Sequence, residues 1–397
     1  MEKTLRNIWL LNLSTFFFFL GVSLTNPPIV SPPFAITLGA SPFLVGLVAG
    51  VTSFVSLVSK PVGGLIGDRG YRLEMMIAGN VLSLISGLLY VVSAYTSNIV
   101  LFAFSRALHG FSMGGIFFPS SLSTAVDLAP PGRVGETLGW RGMMFSLGNI
   151  IGPALGGYLS DYLGFAGAFS FVSLFSLLGA GFVIPVWKEV GRITGDEESS
   201  GGSVSYRALL KVSFVFTSLA LLFFSASYSG ITTYLPAFYK YFGFPQRTFG
   251  LYMMVVGASS FATRLVGGGK TADRIGPVPV SFGGILVVIT GYVFLNYRIL
   301  PPESYISAVL IGAGFGLSVP PAMQMMALAP PLPGKIRAMG SSIYTMFFDL
   351  GTLGGQVALG YVADLRGYEA VFPLLPFIAG VALISILITK VKGEGNA

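Results

Sequence analysis

The chain contains no cysteine, a single histidine, His109, and few charged residues, which make up 10% of its 397 residues. Without cysteine it can form no disulfide, no thiolate zinc or iron–sulfur centre and no thiol nucleophile. Soluble domains carry about 25% charged residues. A chain with so much less charge cannot cover its surface with groups that water solvates, so the composition excludes a soluble globular protein.

The chain is instead 53% hydrophobic and holds 34 Phe, 17 Tyr and 53 Gly. Its mean hydropathy is +0.78. Surface of this composition faces lipid, and glycine lets helices approach one another closely. The net charge of +7 would favour nucleic-acid binding in a soluble protein. Here most basic residues lie in short links between apolar runs, where they indicate membrane topology.

Apolar runs of membrane-spanning length recur along the whole chain. A bilayer core of about 30 Å requires roughly 20 apolar residues as a helix, and the sequence supplies twelve such stretches. We predict spans at 7–29, 42–66, 73–95, 99–124, 137–160, 165–187, 208–236, 248–268, 277–297, 304–327, 338–362 and 370–390. The first run begins like a signal peptide, but it continues past residue 20 without a small-residue cleavage site, so we interpret it as an uncleaved span.

The distribution of basic residues predicts a cell-membrane protein with both termini in the cytoplasm. With the N-terminus inside, only four basic residues fall outside: Lys240, Arg247, Arg298 and Arg366. The longest polar stretch, residues 188–207, is acidic and rich in Ser and Gly, which is typical of a flexible linker. We therefore predict an N-terminal six-helix bundle over 1–187, a cytoplasmic linker over 188–207 and a C-terminal six-helix bundle over 208–397.

The two halves of the chain resemble each other. Residues 147–169 and 350–372, at an offset of 203, share eight identical residues in 23 positions. A second match begins at Gly64 and Gly269, at an offset of 205, and LAPP occurs at Leu128 and again at Leu328. Six spans is an even number, so the duplicated unit keeps its orientation and the repeats are parallel. Rocking of one half against the other would expose a central site to each side in turn, which indicates transport.

The link after the second span reads GLIGDRGYR and places a carboxylate and two guanidinium groups at the membrane surface. One role is a cytoplasmic latch. In it, Asp68 accepts hydrogen bonds from the N-terminal end of a neighbouring helix, and the arginines pair with acids of the same half. The alternative is that Arg69 and Arg72 anchor the hairpin to lipid headgroups. With the second copy, GKTADRIGP, the candidate gating residues are Gly64, Asp68, Arg69, Arg72, Gly269, Asp273 and Arg274.

Both segments resemble motif A of the major facilitator superfamily, usually written GxxxDRxGR. The first copy departs from it because Gly70 precedes Tyr71 where the family has its glycine one place later, and the second has Pro277 instead of the final Arg. The resemblance implies an all-α integral membrane protein with the major facilitator fold, in which twelve transmembrane helices form two parallel-repeat six-helix bundles.

Arg106, in the fourth predicted span, lies roughly 10 Å into the bilayer and shares a helix face with His109 and Gly110. A charge at that depth is costly and functional by default. This face can offer a cationic or proton-handling site to a cavity. The alternative is an arginine that extends outward beside a structural histidine. The RxxxG pattern is similar to motif B of the family, which implies proton coupling through Arg106.

The fifth span carries glycines at four-residue spacing and a proline, which favour close helix packing and a bend. The residues are Gly148, Gly152, Pro153, Gly156 and Gly157. The segment is similar to motif C, GxxxGPxxGG, which is typical of the exporting, antiporter branch of the family. Together the resemblances cover all twelve spans and imply a member related to drug or sugar exporters.

Two further charges lie inside predicted spans. Lys60 is about 12 Å from the inner surface, and Asp349 is about 15 Å along the eleventh span. We predict that they form a buried ion pair between the halves in one transport state. The alternative is a Lys that extends to the surface and an Asp satisfied within its own half, with Arg264 as the pseudo-symmetric counterpart of Lys60.

Candidate cavity residues follow helical spacing in three spans. They are Asn12, Phe16, Phe19, Ser23 and Asn26 in the first, Tyr228 and Thr232 in the seventh, and Met323 and Gln324 in the tenth. Such aromatic and Met stripes are usually packing. As a set they favour an aromatic, mostly uncharged cavity for amphipathic or weakly polar solutes.

These patterns predict a monomeric exporter of a small amphipathic organic substrate, exchanged for protons by alternating access. No acidic residue occurs between Lys3 and Lys60, so the candidate proton carriers are Asp349, His109 and a peripheral Asp127. An uncoupled facilitator or an importer is the nearest alternative. A membrane enzyme needs clustered acids or a Ser/His/Asp set, which the spans lack, and a receptor would need a sensory domain. We expect no cofactor, metal or nucleic acid, only solute, protons and membrane lipid as partners.

Overall fold

The computed structural model describes residues 2–25, 30–67, 70–130, 133–191, 212–264, 271, 274–328 and 334–393. In these ranges the chain is helical and contains no strand. The predicted linker, residues 188–207, lies largely outside them. The apolar runs form helices because a backbone in lipid must satisfy its own hydrogen bonds.

The first half of the chain contains α1 (Glu2–Thr25), α2 (Ser31–Thr37), α3 (Pro42–Gly67), α4 (Arg72–Thr96), α5 (Ile99–Gly110), a π-helix (Phe111–Phe117), α6 (Phe118–Asp127) and α7 (Val134–Val190). The second half contains α8 (Val212–Tyr241), α9 (Gln246–Thr263), α10 (Pro277–Tyr297), α11 (Ser304–Leu328), α12 (Gly334–Arg366), a 3₁₀ helix (Tyr368–Leu374) and α13 (Leu375–Gly393). Each of the twelve predicted spans overlaps one of these helices.

Eight helical segments in the described ranges are long and apolar enough to cross a membrane. One of them belongs to α7, whose 57 residues cover two predicted spans. Gly164 interrupts α7 with φ 70° and ψ 178°, outside the helical region, so two successive spans meet at this glycine. Large apolar side chains face outward along the helices, including Leu88, Phe104 and Phe377, as lipid-facing residues do.

The chain divides into two compact units. The first comprises Met1–Ser41, Leu47–Glu198 and Tyr239–Met254. Its core contains a stacked pair of rings, Phe18 and Phe117, whose centroids are 3.7 Å apart. The second unit comprises Pro42–Gly46, Ser199–Phe238 and Val255–Ala397, and one of its hydrophobic clusters contains Phe214, Leu221 and Tyr344.

The sequence repeat corresponds to repeated packing. In the first unit, a Cβ on Gly148 of α7 would lie 2.9 Å from the backbone nitrogen of Leu20 in α1. In the second unit, a Cβ on Gly351 of α12, which matches Gly148, would lie 2.8 Å from the backbone carbonyl carbon of Leu222 in α8. Gly164 and its counterpart Gly367 both have positive φ, 70° and 84°. The same glycines therefore permit the same close approaches and the same chain reversal in both copies.

Candidate functional site

Arg106 is the most fully hydrogen-bonded buried charge in the described part of the first unit, with 1% of its surface exposed. Its Nε donates to the carbonyl of Val48 at 3.0 Å, and Nη2 donates to that of Ala49 at 3.1 Å. Nη1 donates to the carbonyl of Thr25 at 3.2 Å and to Ser31 Oγ at 2.8 Å. The guanidinium thus joins the end of α1, the start of α2 and the middle of α3, and it does not extend to the membrane surface.

His109 lies one turn after Arg106 and is also buried, with 1% exposed. Its Nδ1 is 3.4 Å from Thr25 Oγ1. Its Nε2 is buried and has no hydrogen-bond partner among the described residues. The ring centroid of Tyr90 is 5.9 Å away. The residues predicted for motif B therefore come together, with one imidazole nitrogen available for a proton, a water or a solute.

The helix that carries Arg106 continues as a π-helix and packs against α3 through glycine. A Cβ on Gly110 would approach the backbone of Thr52, with the Cα of Thr52 at 3.0 Å. A Cβ on Gly63 of α3 would overlap the carbonyl oxygen of Gly115 in the π-helix. The two helices are therefore in backbone contact, so they hold the arginine in a fixed position.

The glycines of the predicted motif C face α1. A Cβ on Gly152 would lie 2.5 Å from Cβ of Ser23, and one on Gly156 would lie 3.2 Å from Cδ2 of Leu24. Gly157 instead approaches Arg247, at 2.7 Å from its Cα. Pro153 lies within α7 between these glycines. The contacts of Gly152 and Gly156 lie between α7 and α1 of the same unit, and the prediction that this segment packs between the two halves stays a prediction.

Of the gating residues, the structure describes the side chains of Arg72 and Arg274. Arg72 forms an ion pair with Asp127 at the end of α6, and Arg274 is exposed. Asp68, Arg69, Gly269 and Asp273 lie outside the described residues, as does Asn26 of the first predicted span. Gly64 lies in α3.

The residues predicted to line a cavity from α1 are packed against other helices of the first unit. Phe19 is 2% exposed, and its ring lies 4.5 Å from that of Phe145. Ser23 Oγ donates to Asn149 Oδ1 at 2.9 Å. Asn12 is buried and its Nδ2 has no partner among the described residues. Phe16 is half-buried against Phe17.

The remaining predicted site residues lie in the second unit, except for Lys60 in α3. Tyr228 of α8 packs on Phe315 at 5.2 Å between ring centroids, and Thr232 Oγ1 donates within α8. Asp349 is half-buried in α12. The side chains of Met323 and Gln324 lie outside the described set. The pairing of Lys60 with Asp349 stays a prediction.

Sequence reasoning missed two carboxylates that cap helices. Within the first unit, Asp161 of α7 accepts from the backbone N–H of Gln246 at 2.7 Å and of Arg247 at 3.0 Å, at the start of α9. Within the second unit, the repeat-equivalent Asp364 of α12 accepts from the N–H of Phe43 at 3.5 Å, at the start of α3. A carboxylate at the start of a helix accepts hydrogen bonds from backbone N–H groups that have no acceptor within the helix, and its charge complements the helix dipole. Asp161 and Asp364 are identical residues at equivalent positions of the sequence repeat, and this identity is the signal from which they could have been predicted.

A third missed residue is Arg141, a buried cation near the start of α7 that is 6% exposed. Its Nη2 donates to Ser121 Oγ at 2.8 Å, and its guanidinium carbon lies 4.7 Å from the ring centroid of Phe118. A lone arginine in an apolar span is the same signal that identified Arg106.

Comparison with known proteins agrees with this architecture. The family profile described as Major Facilitator Superfamily matches residues 11–334. The multi-drug resistance efflux pump PmrA of Streptococcus pneumoniae is 27% identical over 388 residues, covering 94% of this chain and 92% of the pump. Multidrug resistance protein 1 of Bacillus subtilis is 24% identical over 395 residues, covering 96% of each chain.

A solved structure shows the same fold. The crystal structure of the nucleoside transporter NupG superposes with a TM-score of 0.75 at 12% identity, covering 96% of this chain and 99% of that one. The prediction of the family from motifs A, B and C is therefore confirmed, as is the prediction of a multi-pass membrane protein. This chain belongs to the Major Facilitator Superfamily, whose members are membrane-embedded transporters of small molecules.

Proposed function

We propose that this transporter exports a small amphipathic organic solute in exchange for protons, by alternating access. The observation that carries the proposal is the match, over more than nine tenths of the chain, to two proteins described as multidrug efflux or resistance proteins. The segment that contains Gly152 and Pro153 also supports it, because this segment is similar to motif C, which is typical of the exporting branch of the family.

The proposal includes the placement of the protein in the cell. We infer two six-helix bundles, 1–187 and 208–397, joined by the linker 188–207, with both termini in the cytoplasm and the chain in the cytoplasmic membrane. The excess of basic residues in the links predicted to be cytoplasmic supports this orientation. One chain carries both copies of the repeat that would enclose a central site, so the proposed transporter is a monomer.

We assign the transported proton to Asp349. Protonation removes a charge from a carboxylate but adds one to an imidazole, and His109 already lies one turn from the buried cation Arg106. A second positive charge in a low-dielectric interior carries a large cost. Asp127, the peripheral alternative, is the last residue of α6. The carboxylate on α12 therefore suits a group that must be neutral in one transport state.

Proteoliposomes with an imposed pH gradient test this assignment. With an acidic interior, we expect the wild-type protein to take up, against its gradient, at least one member of a panel of cationic, neutral and anionic amphipathic solutes. Asp349→Asn should lose that uptake but retain downhill exchange of labelled for unlabelled solute. His109→Gln and the exposed Glu303→Gln should retain gradient-driven uptake. If wild-type uptake ignores the gradient, the transporter is an uncoupled facilitator and the antiport proposal is wrong. An opposite dependence on the gradient would favour an importer.

Alternating access also gives a role to the helix caps. In the proposed topology, Asp161 lies beside the kink of α7 at Gly164 and Asp364 lies near the end of α12, both at the outer side of the membrane. Each joins a helix of one proposed bundle to the first turn of a helix of the other. Opening toward the outside would break both contacts. We propose that the two caps stabilise the outward-closed state, Asp161 more strongly because it has two short hydrogen bonds.

Neutralising Asp161 should therefore favour outward opening. A charge at a helix N-terminus contributes about 1 kcal/mol, so Asp161→Asn should raise the open population about fivefold. The chain has no cysteine, and Gln246 is buried at the cap. A membrane-impermeant maleimide should thus label Gln246→Cys about fivefold faster in the Asp161→Asn background. The exposed Glu369→Gln should leave the labelling rate unchanged, and Asp364→Asn should have a smaller effect than Asp161→Asn. Equal labelling rates with and without Asp161 would contradict the proposal that this cap stabilises the outward-closed state.

A further inference from the structure

We propose that Arg141 binds the acidic group, a carboxylate or phosphate, of the transported solute. The inference rests on the proposed function, because it names the class of solute that the exporter carries. It implies an anionic amphiphile, where the mostly uncharged cavity residues predicted from the sequence favoured a weakly polar one.

The position of Arg141 makes its charge costly. It follows the start of α7 at Val134 by two turns, about 10 Å along the helix, in a segment apolar enough to span a membrane. Only 6% of its surface is exposed. A guanidinium stays charged in a protein, so its burial requires either a full set of acceptors or an anion.

The described residues supply Arg141 with neither a full set of acceptors nor an anion. Nη2 has one good acceptor, Ser121 Oγ at 2.8 Å, and a long one, the carbonyl of Phe118 at 3.5 Å. Nε is buried and has no hydrogen-bond partner among the described residues. The ring of Phe118 covers one face of the guanidinium. Arg106 offers the contrast, because each of its three nitrogens reaches a protein acceptor.

Four described acidic residues of the first unit are engaged elsewhere: Asp127, Glu136, Asp161 and Glu189. Glu74 has a buried Oε2 with no hydrogen-bond partner among the described residues, but it forms no ion pair with Arg141. None of the ion pairs found among the described residues of this unit involves Arg141, and the carboxylate of Asp161 caps α9. The pairs are Arg6 with Glu189, Arg72 with Asp127, and Arg133 with Glu136. An external anion would therefore supply the missing acceptor. A carboxylate or phosphate can engage Nε and Nη2 together in a bidentate pair.

The surroundings suit the apolar part of such a solute. Phe118 lies against the guanidinium, and Phe145 follows Arg141 by one turn of α7. The ring centroids of Phe118 and Phe145 are 6.1 Å apart, and both side chains are half-buried. Phe19 completes the group at 4.5 Å from Phe145. An aromatic acid could place its charge on the guanidinium and its ring among these side chains.

Matched ligands test the proposal directly. The protein is placed in nanodiscs of phosphatidylcholine, and the affinities of naphthoic acid and its methyl ester are measured from ligand-induced thermal stabilisation. We expect the acid to bind the wild-type protein at least about tenfold more tightly than the ester, since a charge-assisted pair forms only with the acid. Arg141→Gln should abolish this preference, and Arg141→Lys should reduce it, because Lys lacks the bidentate fork.

The control is Arg133→Gln, which removes an exposed arginine near the same end of α7 and should keep the preference for the acid. If the wild type binds acid and ester equally, or Arg141→Gln retains the preference, the proposal is wrong. The wild-type comparison and Arg141→Lys decide the question if Arg141→Gln does not fold.

An anionic lipid is the other source of an acidic group that Arg141 could bind. If added phosphatidylglycerol stabilises the wild type through Arg141 and the acid does not, a headgroup occupies the site and the solute assignment is overturned.

Transport measurements distinguish this inference about Arg141 from the proposed export function on which it rests. Acid-selective binding through Arg141 without movement of either ligand in proteoliposomes would support the site and contradict export. Transport of acid and ester at equal rates, unchanged in Arg141→Gln, would support export and contradict the site.

Discussion

Arg106→Ala should unfold the first unit at a temperature on the order of 10 °C lower than the wild type. The substitution removes four hydrogen bonds and leaves the carbonyls of Val48, Ala49 and Thr25 buried without their donor. Hydrogen bonds between membrane helices contribute about 1 kcal/mol each, so the expected loss is about 4 kcal/mol. All three tryptophans, Trp9, Trp140 and Trp187, belong to the first unit, and their fluorescence on heating in detergent reports its unfolding.

The control is Arg298→Ala, at an exposed position where a substitution changes stability by less than about 0.5 kcal/mol. Arg106→Lys should recover only part of the loss, since an ammonium cannot reach acceptors on three segments at once. If Arg106→Ala melts like the wild type but loses gradient-driven uptake, the arginine acts in proton coupling rather than in holding α1, α2 and α3 together. A large loss of stability would make any transport defect of this variant a consequence of misfolding.

Gly63→Ala should separate α3 from the π-helix. Its new methyl group would overlap the carbonyl oxygen of Gly115, a backbone atom that cannot rotate away. Overpacking of a tight contact costs about 3 kcal/mol, and the same tryptophan melting experiment should show it as a fall in melting temperature. Because Arg106 donates to α3, we also expect Gly63→Ala and Arg106→Ala to be non-additive when combined.

Gly181→Ala provides the matched comparison. This glycine lies within α7, and a Cβ there would meet no atom within 4 Å, so alanine should stabilise the helix by about 0.5–1 kcal/mol. Opposite signs for the two glycine-to-alanine changes would show that helix contact, and not helix propensity, decides the effect. A neutral result for Gly63→Ala would mean that α3 and the π-helix can move apart without loss.

Much of the architecture was predictable because a segment that crosses lipid must be apolar and must satisfy its own backbone hydrogen bonds as a helix. Every predicted span overlaps a helix, and the repeat at offset 203 reappears in the contacts of Gly148 and Gly351 and in the positive φ of Gly164 and Gly367. Glycine leaves such a clear signal because a close approach or a left-handed backbone excludes nearly every other residue.

The candidate site was less predictable, because its partners are backbone atoms. Arg106 was identified from its depth in the membrane, but its acceptors are carbonyls of Val48 and Ala49, which every residue type possesses. The capping role of Asp161 depends on which helix begins beside it, and that is set by the tertiary arrangement. The stripe on α1 had the spacing of a cavity wall, yet Phe19 and Ser23 are buried against neighbouring helices. Periodicity identifies a helix face but not what covers it.

The π-helix at Phe111–Phe117 affects how positions in the two copies of the repeat correspond. The offset between the two repeat copies is 205 residues at Gly64 and 200 at Leu128, so the first copy holds five more residues in this stretch. A π-helix has i→i+5 hydrogen bonds and so takes up more residues per turn than an α-helix. The segment therefore accommodates part of this extra length within a continuous helix, and it rotates the side chains that follow it. Counterparts of Ser121 or Phe118 in the second half cannot be found by adding a constant to their numbers.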